Sequence, residues 1–373
     1  MKDTILFGDC KETLSAFLPQ SARTCVTSPP YYGLRDYGTA TWIGGDPNCN
    51  HRRDSKVKPE NCNTGHKNHD EMYGVGDAIY KTVCPKCGAI RQDSQIGLEE
   101  TPEKYIESLV NVFRGVRDVL TDDGTLWVNL GDSYYNYRPG KGQSYPKQSV
   151  SKTKQDLPDE CNKRGNKLDG LKEKDLIGIP WMFAFAMRKD GWYLRQDIIW
   201  HKPNPMPESV RDRCTKSHEY IFLFSKNRKY FYDNEAIKEP AKDWGTRDRT
   251  NGKYHNPGTG LAPHSGLSKS YPTKNKRSVW SVTVKPYKEA HFATYPPDLI
   301  EPCIKAGSEE GDTILDPFMG AGTTAAVAKS LNRYYIGCEL NEDYGNLIQK
   351  RIQDYHPVQE VSQEPCINIL DII

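Results

Sequence analysis

The chain of 373 residues contains no run of eighteen apolar residues, which excludes an evident transmembrane helix. Its opening, "MKDTILFGDCKETL", carries acids where a secretory leader needs a basic and then an apolar stretch, so a cytoplasmic protein without membrane contact is expected. An overall excess of one charge is also missing: 51 Lys and Arg stand against 49 Asp and Glu, a formal net charge of +2. The eleven cysteines are an odd number, and Cys25, Cys303 and Cys338 sit singly in apolar runs. In a reducing compartment such residues are small buried hydrophobes and not disulfide halves. No internal repeat is apparent.

What is present is an alternation of strand and helix patterns. "DTILFGDC" reads as a strand ending at Gly8-Asp9, "KETLSAFL" as a helix and "ARTCVTS" as a second strand. "TPEKYIESLVNVFRGVRDVL" opens with a Thr cap and Pro at the first helical position. It places Tyr105, Leu109, Val112, Phe113, Val116 and Leu120 on one helical face. A "DDG" turn then leads into the strand "TLWVNLG", after which Asp132 reads as a helix or turn cap. "IPWMFAFAMRKDG" is a helix, and "WYLRQDIIWHK" and "EYIFLFSK" are strands. Towards the C-terminus "DTILD", "TTAAVAKSLN", "YYIGCEL" and "EDYGNLIQKRIQDY" continue as strand, helix, strand and helix. This order predicts an α/β fold with a doubly wound, mostly parallel sheet.

Three segments interrupt it, at about 39–97, 134–174 and 240–277. Residues 138–174 hold ten Lys/Arg against five Asp/Glu, and residues 240–288 hold ten against two. One such loop is ordinarily a solvated surface. Two in a nearly neutral chain point to a polyanion.

The stretch "TCVTSPPYYGLRDYG" places Ser28, Pro29, Pro30 and Tyr31 directly after an apolar strand. Consecutive prolines remove two backbone donors and hold φ near −65°, so the strand must stop in a stiff, carbonyl-rich turn. By itself such a pair is more often an edge loop. A second signal lies in "TILDPFMGAGTTAAVAKSL", where Asp316, Pro317, Phe318, Gly320 and Gly322 join a strand to a helix that begins at Thr323. Glycines there let a ligand approach the backbone near free helix N–H groups. Glu339 follows Asp316 by 23 residues at the end of the next strand, where nucleotide folds grip ribose hydroxyls. The third glycine of a dinucleotide loop is absent, and an acid in the turn would repel a pyrophosphate. It suits a ligand that carries both an ammonium group and an adenosine, as S-adenosylmethionine does.

With both stretches in view, the chain resembles the amino-group DNA methyltransferases. Thr27-Ser28-Pro29-Pro30-Tyr31 is similar to their catalytic motif, and Asp316-Pro317-Phe318 with Gly320, Gly322, Thr323 and Thr324 is similar to their cofactor motif. The catalytic motif comes first, which resembles the permuted β class. "FGDC", "GTLWVNLGD", "RQDIIWHKPNPMPESVRDR", "SHEYIFLFSK" and "HFATYPPDLIEPCI" fit the same pattern. The likeness implies a seven-stranded-type S-adenosylmethionine methyltransferase core over residues 1–38, 98–133, 175–239 and 278–352, with a tail at 353–373. It also places a target-recognition region at 240–277 and a basic loop at 134–174 that closes over double-stranded DNA. By the same likeness Asp9 lies near the cofactor's adenine, and Phe292 and Thr294 near its methionine end. Asp9 reads equally well as a helix cap, and Phe318 as core. Lys202 and Asn204 of "WHKPNP" read as backbone contacts or as a Pro-fixed turn.

An exocyclic amino nitrogen is a poor nucleophile because its lone pair is delocalised into the ring. The Pro29 carbonyl and the Ser28 hydroxyl would accept its two hydrogens and aim the lone pair at the methyl group. Tyr31 would stack on a base turned out of the duplex. Within the family, Ser in the first motif position is associated with N4 of cytosine, and Asp or Asn with N6 of adenine. Ser28 therefore favours cytosine, with adenine as the alternative. RNA or a protein amide as substrate, and a binder that has lost catalysis, are the competing functions. A homodimer, and a cognate restriction endonuclease that is not a stable subunit, are partners compatible with the likeness, and so is a solitary or phage-borne modifier without such a partner.

The first insertion carries Cys49-x-His51 and Cys84-x-x-Cys87, with Gly88 behind the second pair. This is zinc-knuckle spacing, and no thioredoxin-like context supports a redox pair. A closed, structural zinc site at Cys49, His51, Cys84 and Cys87 is expected; Cys62, His66 and His69 are alternative ligands.

Overall fold

The computed structural model describes residues 2–33, 39–51, 83–135, 168, 170–241, 272–285 and 294–355. In chain order the strands are β1 (Thr4–Phe7), β2 (Ala22–Thr27), β3 (Thr41–Ile43), β4 (Ile90–Gln92), β5 (Leu120–Leu130), β6 (Tyr193–His201), β7 (His218–Ser225), β8 (Glu239–Pro240), β9 (Thr273–Lys274), β10 (Val279–Ser281), β11 (Thr313–Asp316) and β12 (Tyr334–Glu339). The helices are α1 (Cys10–Thr13), α2 (Pro102–Val119), α3 (Ile179–Lys189), α4 (Pro297–Gly307), α5 (Thr323–Ser330) and α6 (Gly345–Asp354).

Eight strands form one sheet in the order β1-β12-β11-β2-β5-β7-β6-β10. Only β7 opposes its neighbours; the remaining pairs are parallel. The expected doubly wound, mostly parallel sheet is therefore present, with β10 as an eighth strand beside β6. Two short antiparallel ribbons, β3–β4 and β8–β9, lie outside it.

Strand alternation divides the apolar residues between two cores. Cys25, Leu126, Val128, Phe222, Phe224, Leu315 and Ile336 face α1, α2 and α3. Val26, Trp127, Ile221, Leu223, Ile314 and Tyr335 face α4, α5 and α6. Cys25, Cys303 and Cys338 are all buried thiols. The face read on α2 is buried from Tyr105 to Val116, and Thr101 Oγ1 caps the helix by accepting from the Lys104 N–H at 3.3 Å.

Three elements differ from the sequence reading. The "DDG" turn lies inside β5, because a bulge opposite Ala22–Thr24 absorbs the extra residues without ending the strand. "KETLSAFL" divides into α1 and a 3₁₀ turn at Leu14–Ala16. Helix α4 starts from Pro296 at its N-cap and Pro297 at its first position and carries a third proline at Pro302, which obscured it as a helix.

The strand order reverses between β11 and β2: β12 and β1 continue on one side, β5, β7 and β6 on the other. Open α/β sheets place ligands in the crevice beyond the carboxyl ends at such a point. Both of the motifs that stood out in the sequence leave the sheet there.

Candidate active site

Strand β2 ends at Thr27, and its last hydroxyl bridges the two motifs: Thr27 Oγ1 donates to Asp316 Oδ1 at 2.6 Å. Asp316 is only 1% exposed. It also accepts from the Phe318 N–H (3.0 Å), Thr324 Oγ1 (2.5 Å) and the Tyr295 hydroxyl (3.2 Å). Burial pushes its carboxyl above the usual range, and these donors oppose that shift.

Beyond the strand ends lies a cavity of about 480 Å³, within the range of small-molecule sites. Ser28, Pro29, Pro30 and Tyr31 line one part of it. Asp9, Thr294, Pro317, Phe318, Gly320, Thr323 and Glu339 line another. Asp316 and Gly322 stand behind this wall and not on it. The Asp316 carboxylate is turned toward internal hydroxyls, and Gly322 (φ +79°) is where α5 meets α6: a Cβ there would lie 2.7 Å from Ile348 Cγ2. Phe292 lies outside the described residues.

Asp9 caps α1, its carboxylate accepting from the Lys11 N–H at 2.9 Å, and it also lines the cavity. Glu339 accepts from the Gly320 N–H at 2.7 Å and the Asn341 N–H at 2.9 Å. Burial pushes its carboxyl up to about 7 despite these donors. A carboxylate among backbone donors at a strand end fits the hydroxyls of a ribose, so these residues fit the adenosine part of S-adenosylmethionine.

On the opposite part, the Tyr105 hydroxyl of α2 donates to the Pro30 carbonyl at 2.8 Å. Among the described residues no donor reaches the Pro29 carbonyl, which remains available to a ligand. The Tyr31 hydroxyl donates towards Glu219 Oε2 (2.8 Å) and Asn129 Oδ1 (3.1 Å). Burial, then Glu219, hold its pKa well above the ordinary value, so it stays protonated. Its ring lies against Gly131, where a Cβ would come within 2.5 Å of Cε2. Asp132 caps α3, accepting from the Gly178 and Ile179 N–H groups at 3.1 Å.

Sequence reasoning missed Asn129, Glu219 and Tyr295, which all line the cavity. One signal was available: Asn129 is a polar residue inside the apolar strand "TLWVNL", and it is only 3% exposed. Lys202 faces the cavity and contacts Glu219, whereas Asn204 stitches its turn to Val284 by two hydrogen bonds at 3.0 and 3.2 Å.

The ribbon β3–β4 brings the expected metal ligands together. Ligand atoms of Cys49, His51, Cys84 and Cys87 all lie within 4.8 Å of one another. Cys49 and Cys84 sulfurs are 3.7 Å apart, and Cys87 Sγ is 3.5 Å from His51 Nδ1. A tetrahedral zinc with sulfur at about 2.3 Å needs sulfurs about 3.8 Å apart. Trp42 stacks on His51 with ring centroids 4.3 Å apart. Cys62, His66 and His69 lie outside the described residues, as does most of both basic segments.

Among the described residues no helix is long and apolar enough to cross a membrane. A family model described as "DNA methylase" matches residues 22–350. Type II methyltransferase M.XycI of Xanthomonas campestris pv. cyanopsidis is 39% identical over 350 residues, covering 94% of this chain and 87% of that protein. Type II methyltransferase M.SmaI of Serratia marcescens is 39% identical over 353 residues, covering 93% and 90%. The solved structure titled PvuII DNA methyltransferase (cytosine-N4-specific) is similar in fold, with a TM-score of 0.53 at 14% identity, covering 96% and 89%.

Proposed function

The chain belongs to the N6/N4 DNA methylase family, S-adenosylmethionine-dependent enzymes that methylate exocyclic amino groups in DNA, and from that premise we propose that its target is N4 of cytosine. The observation that carries this reading is the shared cavity, which Ser28 and Pro29 line together with Gly320 and Glu339. S-adenosylmethionine supplies a methyl group on a sulfonium, already a good leaving group, so the protein need not form a covalent intermediate. Glu339 and Asp9 hold the adenosine end, and Thr294 lies towards the methionine end. Asp316 acts from behind the wall, tying Thr27 of one motif to Phe318 and Thr324 of the other.

The Pro29 carbonyl and Ser28 Oγ accept the two amino hydrogens and direct the nitrogen lone pair outward. Tyr31 offers its ring to a base rotated out of the duplex, in a plane set by its hydroxyl partners and Gly131. Ser28 in the first motif position supports cytosine over adenine. We assign residues 240–277 to target recognition and the loop at 134–174 to closure over DNA. The chain then serves as the modification half of a cytoplasmic restriction–modification pair, separate from its endonuclease and compatible with a homodimer.

Cys49, His51, Cys84 and Cys87 would hold one structural zinc. Four protein ligands leave no open coordination position, so the ion stiffens the ribbon and takes no part in methyl transfer.

Nucleoside mass spectrometry on unmodified DNA incubated with the protein and S-adenosylmethionine tests the assignment. N4-methylcytosine is expected. N6-methyladenine would overturn the choice of base while keeping the mechanism, and an absence of methylated bases would overturn the catalytic reading.

A further inference from the structure

Serine is an ambiguous group to face the methyl-accepting amino group, because its hydroxyl both donates and accepts. An amino group needs acceptors there, and a serine that presented its proton would repel the amino hydrogens. The surroundings of Ser28 resolve this by proton counting. Tyr31 carries one hydroxyl proton and has two acceptors in reach, Glu219 Oε2 at 2.8 Å and Asn129 Oδ1 at 3.1 Å. The carboxylate is both nearer and the stronger acceptor, so it takes that proton. Asn129 Oδ1 is then left to the Ser28 hydroxyl, 3.4 Å away, a long contact of the kind that tightens when substrate arrives; the Tyr31 oxygen, to which the same serine also donates, lies on the protein side as well.

Asn129 cannot turn its amide over to present hydrogens instead. Its Nδ2 donates to the Tyr220 carbonyl at 3.1 Å and towards Glu219 Oε2 at 3.4 Å. Glu219 is held in turn by Lys202, whose ammonium contacts Oε1 and sits 4.2 Å from the Trp200 ring centroid. The chain of donors therefore has one direction, with Lys202, Tyr31 and the Asn129 amide all donating to Glu219.

We propose that Asn129 and Glu219 are positioning residues that make Ser28 a pure acceptor, by drawing its proton back into the protein and leaving its lone pairs to the target amino group. Neither residue belongs to the motif that carries Ser28; they come from β5 and β7, the next two strands of the sheet. The inference rests on the reading that Ser28 accepts an amino hydrogen. It adds the reason why a neutral hydroxyl suffices where a carboxylate would be the obvious acceptor.

The test is a double-mutant cycle on single-turnover methyl transfer, at saturating S-adenosylmethionine and DNA, with Ser28→Ala, Asn129→Leu and both together. Asn129→Leu should slow transfer by about tenfold or more, with S-adenosylmethionine affinity unchanged within about threefold. In the Ser28→Ala background the same change should cost almost nothing further, because coupled residues are not additive. Glu219→Gln should also slow transfer, since its amide can offer a proton to Tyr31 and reverse the chain.

Asn129→Asp supplies a second readout, which decides the matter even if Asn129→Leu does not fold. Its carboxylate preserves the acceptor, so transfer should approach the normal rate at high pH and fall as the introduced acid protonates. Full additivity of Ser28→Ala and Asn129→Leu, or a flat and low pH profile for Asn129→Asp, overturns the proposal alone. A normal rate for Ser28→Ala instead overturns the catalytic reading of Ser28, and this inference with it.

Discussion

The two parts of the cavity are built by different means. Around Glu339 the partners are backbone N–H groups of Gly320 and Asn341, close in sequence to the motifs that supply the acids. Around Ser28 and Tyr31 the partners are side chains, Asn129 and Glu219, which lie 98 and 188 residues from Tyr31 in the chain. A backbone-organised site can be recognised from a short stretch, because glycines, a strand end and a helix start are all local. A side-chain network assembled across three strands has no local signature. The part assigned above to cofactor is thus open to sequence reading, and the part proposed to orient the methyl acceptor is not.

The sharpest way to separate the two parts is to break one and measure both. Tyr31→Ala, which removes the ring and the hydroxyl anchored on Glu219 and Asn129, should lower turnover by about a thousandfold, in the range lost when a preorganised hydrogen-bonding group is removed; Pro29→Ala keeps the backbone carbonyl and loosens only its direction, so its effect should be smaller. S-adenosylmethionine affinity, read by calorimetry, should stay within a few-fold; its loss in a folded variant would mean that the two parts are not separable. Asp316→Ala should do the opposite and damage both. It leaves the Thr27, Thr324 and Tyr295 hydroxyls and the Phe318 N–H without their shared acceptor, at a cost of about 2–4 kcal/mol in urea unfolding, with cofactor affinity and turnover falling together.

The zinc ribbon offers a control outside either part. Metal analysis should find about one zinc per chain, lost in the Cys84→Ser/Cys87→Ser double variant. Thr39, Ser94, Gln95 and Ile96 on the ribbon's legs line the cavity, so turnover should fall with the metal while the sheet stays folded. A folded protein free of metal as isolated would remove the zinc assignment.

The smallest effect is a pH dependence confined to the cofactor part. Glu339 is raised from 4.5 to about 7, so the folded, ligand-free protein holds its proton more tightly than the unfolded chain. That contribution to stability is complete below about 4.5 and is lost as pH rises through about 7. Cofactor affinity should run the other way, since the ribose hydroxyls require the ionised form, and should weaken up to about tenfold per pH unit below 7. Glu339→Gln should abolish both slopes, as seen in melting temperature and calorimetric affinity between about pH 5.5 and pH 8.

Much of the fold was legible because its periodicities are strong. The α2 stripe from Tyr105 to Val116 and the strands "YYIGCEL" and "EYIFLFSK" all lie where the pattern places them. The "DDG" in β5 misled because a bulge can store a turn-like sequence within a strand. Asp316 shows what the turn alone did not. An acid at a strand-to-helix turn announces a ligand, yet three hydroxyls from residues 27, 295 and 324 converge on it and turn it inward.

By itself the sequence determined the alternating α/β order, the stiff end of β2 at Ser28-Pro29-Pro30, the Gly320–Glu339 loop and the Cys-x-His and Cys-x-x-Cys spacings of the first insertion. Each of these depends on local geometry, on proline and glycine backbone limits or on spacing over a few residues. Only the tertiary structure decided that Thr27 binds Asp316, that Tyr105 occupies the Pro30 carbonyl while no donor among the described residues takes that of Pro29, and that Asn129 and Glu219 stand behind Ser28. Those contacts follow from the strand order β11-β2-β5-β7, which sets side by side residues that the chain keeps far apart.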